Sequence, residues 1–325
     1  MSVVRARAVG CGHYLPARIL TNDELAARID TTDAWIQSRT GIRRRHVAAE
    51  GEKTSDLAIA AALDALAAAG LTGADIDAIV LATATPDQTF PSTATRVQHA
   101  IGMHGGFAFD LHAVCAGFIF GIANANAMIV SGLARRVLVI GAETFSRILD
   151  WNDRATCVLF GDGAGAVILE AAEGTGSVAD HGVLGACLHS DGAHNDLLYV
   201  SGGPSTTQDT GYLRMEGREV FRHAVVKLAE VADEVMEKVG VTGSDVDWIV
   251  PHQANLRIIE STAKKAGVPM AKVVVTVHDH GNTSAASIPL ALSIAVGDGR
   301  IRPGNLLLME AIGGGLAWGS ALLRW

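Results

Sequence analysis

The sequence predicts an α/β protein built from two similar halves. Short segments rich in Val, Ile and Leu alternate with longer segments of helical periodicity, which is typical of alternating strands and helices. Residues 70–80 also match residues 240–250 at seven positions without a gap. So many identities in register indicate an internal duplication rather than chance. We therefore predict two halves, residues 1–172 and 173–325.

Length and composition indicate a compact protein with a large core. The 325 residues are 49% hydrophobic and 18% charged, with 36 glycines, which excludes a disordered chain. The net charge of −8 argues against a general nucleic-acid binder. Four widely separated cysteines form neither a C-x-x-C pair nor a metal-ligand spacing, so we expect a cytoplasmic protein with reduced thiols and no metal site.

The first half is predicted from apolar runs that end at turn residues. We predict strands over residues 3–15, 76–85, 107–112 (buried), 136–141 and the later part of 160–169, and helices over 23–29, 55–69, 92–101 and 116–130. Residues 113–130 are uncharged and long enough for a membrane span, but Asn124 and Asn126 favour a helix buried inside a protein. The glycine-rich run at 160–165 precedes its strand, whereas a dinucleotide-binding fingerprint follows one.

The second half shows the same alternation. We predict helices over residues 216–239 and 255–266 and from 280–287 onwards, and strands over 247–252, 272–278, 305–309 and 317–323, the last two as a hairpin. The same offset that aligns residue 70 with residue 240 can be applied to the turn that precedes the helix at 116–130. It predicts a matching turn at Ser284 in the second half. Matching strand ends would then meet at one crevice, where open α/β sheets usually bind ligands.

Cys115 lies between the strand at 107–112 and an uncharged helix. Free N–H groups and the positive end of the helix dipole stabilise a thiolate there, so Cys115 is a candidate nucleophile. Cysteine is also among the most buried residue types, and a lone Cys would indicate packing only. His252 and Asn282 follow strand ends in the other half, and each alone would be a core histidine or a helix cap. Together the three suggest an acyl-transfer site.

The chain resembles the β-ketoacyl-acyl carrier protein synthases III of the thiolase superfamily over essentially its whole length. The matching motifs lie at residues 31–43, 160–165, 251–257, 280–284 and 313–320. The resemblance implies a thiolase-like layered α-β-α-β-α architecture. It implies a decarboxylative Claisen condensation of a short acyl-CoA, with acetyl-CoA as the expected primer, and malonyl-acyl carrier protein, which initiates fatty acid biosynthesis. It also implies a homodimer with no cofactor, no nucleic-acid partner and no membrane partner, since the CoA thioester is a substrate.

The resemblance assigns roles to individual residues. Cys115 would carry the acyl group, and the backbone N–H groups of Cys115 and Gly314 would hold the oxyanion. His252 and Asn282 would donate hydrogen bonds to the enolate oxygen formed by loss of CO2. Phe90 would reach across the dimer interface into the partner's acyl pocket, where its ring favours a short primer. The other substrate-binding positions are Trp35 and Arg154 (adenine sandwich), Thr31 (base), Arg39 (phosphate), Asn255 (beside the pantetheine tunnel) and Gly217.

Two basic groups could dock the acidic carrier protein. Arg214, Arg218 and Arg222 are spaced by four residues, which places them on one helical face if the helix begins early enough. Arg257, Lys264 and Lys265 lie on or beside the helix after His252. We predict that both groups flank the tunnel mouth, with a merely solvated helix face as the alternative.

Several alternatives stay open from sequence. Ile312 stands where well-known members carry Phe, and Leu316-Ala317 replace an aromatic residue and Thr, so the resemblance does not fix primer preference.

Plant-type polyketide synthases and condensing enzymes of specialised metabolism share the catalytic trio, although the Trp35 and Arg154 pair favours a CoA-primed role. A degradative thiolase would need a second Cys near the C-terminus, and none follows Cys187. A hydroxymethylglutaryl synthase would need a Glu base, for which there is no match. An inactive acyl-CoA or carrier-protein binding subunit would not need the intact trio.

Overall fold

The computed structural model describes residues 2–325, in which strands and helices alternate along most of the chain. The strands in this part of the chain are β1 (Val3–Tyr14), β2 (Arg18–Thr21), β3 (Arg44–Val47), β4 (Ala78–Ala82), β5 (Phe107–Leu111), β6 (Arg136–Thr144), β7 (Asp162–Gly174), β8 (Gly182–Ser190), β9 (Leu198–Val200), β10 (Leu213–Met215), β11 (Trp248–Pro251), β12 (Leu306–Gly313) and β13 (Ala317–Arg324). The α-helices are α1 (Asn22–Ala26), α2 (Asp33–Thr40), α3 (Thr54–Ala69), α4 (Thr93–Ala100), α5 (Gly117–Val130), α6 (Gly217–Val239), α7 (Leu256–Lys265), α8 (Val277–His280) and α9 (Ser287–Gly297).

Two main sheets repeat one topology. The first has the order β1-β7-β6-β4-β5 and the second the order β8-β13-β12-β11. In the first sheet β1 and β6 run antiparallel to β7, while β4 runs parallel to β6. In the second sheet β8 and β12 run antiparallel to β13, while β11 runs parallel to β12. The second sheet is therefore a copy of the first without the fifth strand.

The structural repeat has the same offset as the sequence repeat. β4 and β11 begin at residues 78 and 248, β6 and β12 at 136 and 306, and α5 and α9 at 117 and 287. Each pair is as far apart in the chain as residues 70 and 240, so the duplication extends far beyond the short match between 70–80 and 240–250. β7 ends at Gly174, two residues beyond the predicted boundary between the halves.

The two sheets enclose α5 and α9, and the remaining long helices cover the outer faces. Val80 of β4 packs into the central core with Ile122 of α5 and Leu292 of α9. Ile79 and Leu81, which point to the opposite face of the same strand, pack against α3. The outer face of the second sheet packs against α6 and α7. These contacts give the five layers α-β-α-β-α and confirm the expected architecture.

Close packing between the halves depends on glycine. A Cβ atom on Gly141 of β6 would lie 2.2 Å from the carbonyl oxygen of Ala285, which forms part of the turn before α9. Such a separation is far below van der Waals contact, so only glycine lets this turn reach the first sheet. The close approach brings the turn before α9 against the turn before α5.

The predicted strand over residues 272–278 is wrong. Only an isolated bridge joins Val273 to Ile249, and the chain then forms α8. The buried side chain of Gln253 satisfies backbone groups of this segment instead of a strand partner. Its Nε2 donates to Val274 O at 3.0 Å, and its Oε1 accepts from Thr276 N at 2.8 Å. A side-chain amide can satisfy buried backbone groups that a neighbouring strand would otherwise pair.

The strand at 107–111 is also not buried. β5 is the outer strand of its sheet, and all five of its residues are half-buried. The helix that follows it, α5, lies in the central layer, and no helix within residues 2–325 combines the length and apolarity needed to cross a membrane.

Candidate active site

Cys115 lies in a tight turn between β5 and α5. A single 3₁₀ turn, Val114–Ala116, leads directly into the helix, and Cys115 is only 3% exposed. Val114 adopts a left-handed backbone conformation with φ of 47°. A β-branched residue in this region costs on the order of 1–3 kcal/mol and persists only where the surroundings impose it. The fold therefore holds Cys115 at the start of a buried helix against a local conformational preference.

The second half repeats this turn. Ser284, the counterpart of Val114 in the internal repeat, has a φ of 48° and begins the 3₁₀ turn Ser284–Ala286 before α9. The hydroxyl of Ser284 lies near the thiol of Cys115 and lowers its pKa. The sequence offset predicted this pairing of turns, and the structure adds the contact between their side chains.

The loop between β12 and β13 closes over Cys115. A Cβ atom on Gly313 would lie 2.6 Å from the backbone nitrogen of Cys115, so this approach requires glycine. Cys115 and Gly314 line the same cavity of about 1150 Å³. This cavity also has an apolar wall that includes Phe145, Phe160 and Leu198.

His252 follows β11 and is held by the first residue of α9. Its Nδ1 lies 2.7 Å from the Ser287 hydroxyl, which also accepts the Gln253 N–H at 3.2 Å. The Ser287 hydroxyl can donate its proton to Nδ1. In the tautomer that accepts this bond, Nε2 carries the ring proton and can donate a hydrogen bond.

Asn282 is oriented by its own backbone neighbours. Its Oδ1 accepts the Ser284 N–H at 2.9 Å, which leaves the Nδ2 amide group as a donor. Its backbone pairs with the segment before β7, since Asn282 N donates to Leu159 O at 2.8 Å and Gly161 N donates to Asn282 O at 3.0 Å. Gly161, in the glycine-rich run at 160–165, therefore helps to position Asn282.

Burial sets the protonation states of the site. Burial raises the pKa of Cys115 to about 12, and the nearby Ser284 hydroxyl, which lowers it, offsets only part of this effect. Burial lowers the pKa of His252 to about 3. Burial thus favours a thiol and a neutral imidazole at neutral pH, whereas the helix N-terminus acts on Cys115 in the opposite direction.

The space expected for the adenine ring, between Trp35 and Arg154, is closed because the Arg154 guanidinium packs directly on the Trp35 ring. The guanidinium carbons of Arg154 and Arg39 lie 4.8 Å and 4.7 Å from the centre of the Trp35 ring. Arg154 also donates to Asp30 O at 2.7 Å. An adenine ring stacked between Trp35 and Arg154 would have to displace this guanidinium. The buried Thr31 hydroxyl nearby has no hydrogen-bond partner within residues 2–325.

The other predicted substrate contacts lie on three elements. Gly217 is the first residue of α6, and Asn255 is the N-cap of α7, where its side chain accepts the Ile258 N–H. Phe90, in the loop between β4 and α4, is 81% exposed. None of the predicted contacts in this group lines the cavity of Cys115, and neither do His252 and Asn282.

The two basic groups lie close together, but one predicted feature is wrong. Arg214 belongs to β10, because α6 begins only at Gly217, and it is paired with Asp150 at 3.2 Å. Arg222 is paired with Glu219 of the same helix. Arg257 lies 5.8 Å over the Phe221 ring and so connects α7 with α6. The remaining members are Arg218 on α6 and Lys264 and Lys265 in the last turn of α7.

Sequence reasoning missed two polar side chains next to the trio, Glu143 and Ser287. Ser287 is the counterpart of Gly117 in the internal repeat, so the repeat could have drawn attention to it. No sequence pattern marks Glu143 as a site residue. It comes just after the predicted apolar strand at 136–141, where surface carboxylates are also common. Across residues 2–325 no group of three or more His, Cys, Asp or Glu side chains is arranged to hold a metal ion.

Comparison with known proteins agrees with this geometry. Residues 109–192 match the family 3-oxoacyl-[acyl-carrier-protein (ACP)] synthase III, and residues 236–325 match its C-terminal family. Beta-ketoacyl-[acyl-carrier-protein] synthase III of Rhodobacter capsulatus is 67% identical over 322 residues, covering 99% of both chains. The corresponding protein of Dinoroseobacter shibae is 65% identical over 321 residues, again covering 99% of both.

Solved structures show the same fold. The 3-oxoacyl-[acyl-carrier-protein] synthase III of Aquifex aeolicus VF5 superimposes with a TM-score of 0.92 at 46% identity, covering 98% of this chain and 100% of that one. The synthase III of Pseudomonas aeruginosa PAO1 gives 0.92 at 44% identity, covering 99% and 98%. The priming β-ketosynthase of the R1128 polyketide pathway gives 0.92 at 35% identity, covering 99% and 96%. The chain belongs to the 3-oxoacyl-[acyl-carrier-protein] synthase III family.

Proposed function

We propose that the chain condenses a short acyl-CoA primer, acetyl-CoA, with malonyl-acyl carrier protein and so initiates fatty acid biosynthesis in the cytoplasm. The observation that carries this proposal is the arrangement around Cys115. A buried thiol at the start of α5 meets the glycine loop of Gly314, while His252 and Asn282 each keep one N–H group free to donate. Nucleophile, oxyanion donors and enolate donors are the parts that this reaction requires.

In the first half-reaction Cys115 attacks the thioester carbon of the primer. The developing oxyanion is held by the backbone N–H groups of Cys115 and Gly314, and each such donor contributes about 3–4 kcal/mol where it has been measured. CoA departs, and the acyl group stays on the Cys115 sulfur. The apolar wall of the cavity, which includes Phe145 and Leu198, accommodates the acyl chain.

In the second half-reaction malonyl-acyl carrier protein loses CO2. The resulting enolate carries negative charge on its thioester oxygen, where the Nε2–H of His252 and the Nδ2 amide of Asn282 donate hydrogen bonds. A neutral His252 fits this task, because it must stabilise the enolate without protonating it. The enolate carbon then attacks acyl-Cys115 and releases the β-ketoacyl product.

We propose a homodimer formed along β5. Its half-buried residues lie at the edge of a sheet, where free backbone groups can pair with a second copy of the strand. The exposed ring of Phe90 would then enter the partner's acyl pocket and shorten it. Sedimentation velocity at micromolar concentration tests this pairing, and a monomeric protein would contradict it.

We propose that the two basic groups receive the carrier protein. The cation–π contact between Arg257 and Phe221 joins α6 and α7 into one surface next to Gly217 and Asn255. Arg218, Lys264 and Lys265 provide positive charge on a chain whose net charge is −8. Local attraction of this kind chiefly raises the association rate and weakens with added salt.

Mass spectrometry after incubation with acetyl-CoA tests the proposed function. An acetyl adduct on Cys115 is expected, absent in Cys115→Ser and retained in Cys187→Ser, which removes a cysteine outside the site. Absence of any adduct with a panel of acyl-CoA primers would sink the proposal. The same panel with malonyl-acyl carrier protein tests primer length, because preference for long or branched primers would contradict the role of Phe90.

A further inference from the structure

Glu143 is a buried carboxylate that the proposed reaction does not yet use. It lies near the end of β6 and is fully buried. Its oxygens accept hydrogen bonds from the Thr85 hydroxyl at 2.6 Å, the Ala84 N–H at 3.0 Å, the Ser284 hydroxyl at 2.9 Å and the Thr83 hydroxyl at 3.2 Å. It forms no ion pair with any Lys or Arg of residues 2–325.

Burial shifts the titration of this carboxylate towards neutral pH. Burial raises the pKa of Glu143 to about 7, and the hydrogen bonds from Thr85 and Ala84, which lower it, offset only part of that effect. Near neutral pH Glu143 can therefore both accept and release a proton, which an exposed glutamate cannot do efficiently.

Ser284 connects Glu143 to the nucleophile. Its hydroxyl donates a hydrogen bond to the Glu143 carboxylate at 2.9 Å, and it is near enough to the Cys115 thiol to lower the pKa of that thiol. Ser284 is fully buried and fixed in a left-handed backbone conformation, and its N–H is held by Asn282. The Ser284 hydroxyl thus lies between the thiol, which lines the cavity, and the buried carboxylate.

The proton of Cys115 needs such an acceptor. Acylation converts the thiol to a thioester, so one proton must leave the sulfur. His252 is a poor acceptor because its Nδ1 is engaged by Ser287 and its Nε2 carries the proton that stabilises the enolate. Its low pKa agrees with this assignment.

We propose that Glu143 receives the Cys115 proton through the Ser284 hydroxyl during acylation and returns it to the sulfur when the condensation product leaves. This inference rests on the proposed function. Glu143 acts through Ser284 and touches no substrate, so it is a positioning and proton-storing residue.

The proton balance closes over the full cycle. In acylation the Cys115 S–H bond breaks, an S–C bond forms, and the proton moves through Ser284 to the Glu143 carboxylate. The CoA thiolate leaves and takes its own proton from water. In condensation the enolate carbon forms a bond to the acyl carbon, the S–C bond breaks, and Glu143 returns its proton to the Cys115 thiolate. Each turnover then takes up one proton from solvent, which ends on CoA.

Single-turnover acylation across the pH range tests the relay. In the unsubstituted protein the rate of acetyl-Cys115 formation should rise with pH and level off above about pH 7, where Glu143 is ionised. In Glu143→Gln and Ser284→Ala the plateau should fall about 100-fold, the lower end of typical general-base effects, and the inflection near neutral pH should disappear. Ser284→Thr keeps the hydroxyl but adds a β-branch at a buried left-handed position, so it should restore the inflection and part of the plateau.

Two further measurements separate proton storage from a merely structural role. Decarboxylation of malonyl-acyl carrier protein does not need the Cys115 proton, so Glu143→Gln and Ser284→Ala should retain it if the site is intact. Infrared difference spectra of the unsubstituted protein should show a protonated carboxylic acid appearing with the acyl-enzyme, and Glu143→Gln should lose this signal. Glu310→Gln is the matched control, since Glu310 is another buried carboxyl group with a raised pKa but without a side-chain bond to Ser284 or Cys115 in the described residues.

The outcomes distinguish the two proposals. If the unsubstituted protein forms no acyl adduct at any pH, the proposed function fails. If it forms the adduct while Glu143→Gln keeps an unchanged pH profile, or if no carboxylic acid signal accompanies acylation, the relay alone is overturned. An equal fall of the rate at every pH with the inflection preserved would also overturn it.

Discussion

The Nδ1 atom of His252 lies 2.7 Å from the hydroxyl of Ser287, and this contact joins the end of β11 to the start of α9. Both residues belong to the second half of the chain, and both are almost completely buried. The contact engages Nδ1 of His252 and leaves Nε2 as the other hydrogen-bonding atom of the ring.

Loss of the Ser287 hydroxyl should impair decarboxylation but not acylation. In Ser287→Ala the buried Nδ1 loses its partner, an effect of about 1–3 kcal/mol, so the condensation rate should fall roughly 10- to 100-fold. Mass spectrometry of acetyl-Cys115 and the release of CO2 measure the two half-reactions separately. Ser287→Thr, which keeps a hydroxyl, should recover most of the activity. Equal losses in both half-reactions would contradict a role confined to His252.

A methyl group on Gly313 should disable the oxyanion loop. Because the added Cβ would lie 2.6 Å from Cys115 N, Gly313→Ala must push the loop away from the nucleophile. Displacing one oxyanion donor costs roughly 10²- to 10³-fold in kcat. Gly297→Ala is the control, since a Cβ at Gly297 meets no atom within 4 Å. Steady-state kinetics measures both variants, and near-normal kcat in Gly313→Ala would refute this interpretation of the loop.

Removal of Arg154 should weaken binding of the CoA nucleotide. Arg154→Ala deletes the guanidinium that lies 4.8 Å over Trp35, and a stack on an aromatic ring contributes about 0.5–2 kcal/mol. We expect KM for acetyl-CoA to rise several-fold with kcat nearly unchanged. With acetyl-pantetheine, which lacks the nucleotide, the variant and the unsubstituted protein should not differ. A defect of the same size with both substrates would place Arg154 outside nucleotide recognition.

Burial of His252 should make the folded state acid-sensitive. The pKa of His252 falls from 6.5 to about 3 on folding, because burial disfavours the charged ring. Below pH 6.5 the unfolded chain binds a proton that the folded chain excludes, so stability is full above pH 6.5 and lost as the pH falls. The loss is about 1.4 kcal/mol per pH unit, or roughly 2 kcal/mol at pH 5.

Denaturant unfolding at pH 7 and pH 5 measures this loss of the free energy of unfolding. His252→Gln should lose less stability between the two pH values than the unsubstituted protein does, by about the same 2 kcal/mol. The comparison between variants is needed because burial also lowers the pKa of His280, to about 4. Identical pH dependence in both proteins would show that His252 titrates normally in the folded chain.

Local sequence patterns predicted most of the layered fold. The apolar run of β4 and the uncharged stretch of α5 carry their periodicity in consecutive residues, and the structure places both within a few residues of the prediction. The segment from 31 to 46 gave no such signal, because α2 buries only Ile36 and Thr40 and the strand β3 is rich in charge. The strand expected at 272–278 failed for the opposite reason: its apolar residues are buried, but the distant Gln253 side chain satisfies their backbone.

The sequence by itself determined the internal repeat, the turn at Cys115 and its counterpart at Ser284, because each is encoded in contiguous residues. Only the tertiary structure decided how these turns face each other and which protonation states follow. Burial that leaves Cys115 a thiol and His252 neutral arises when two halves close on one another, and no local pattern records that enclosure. Glu143 reaches Ser284 across 141 residues of chain for the same reason.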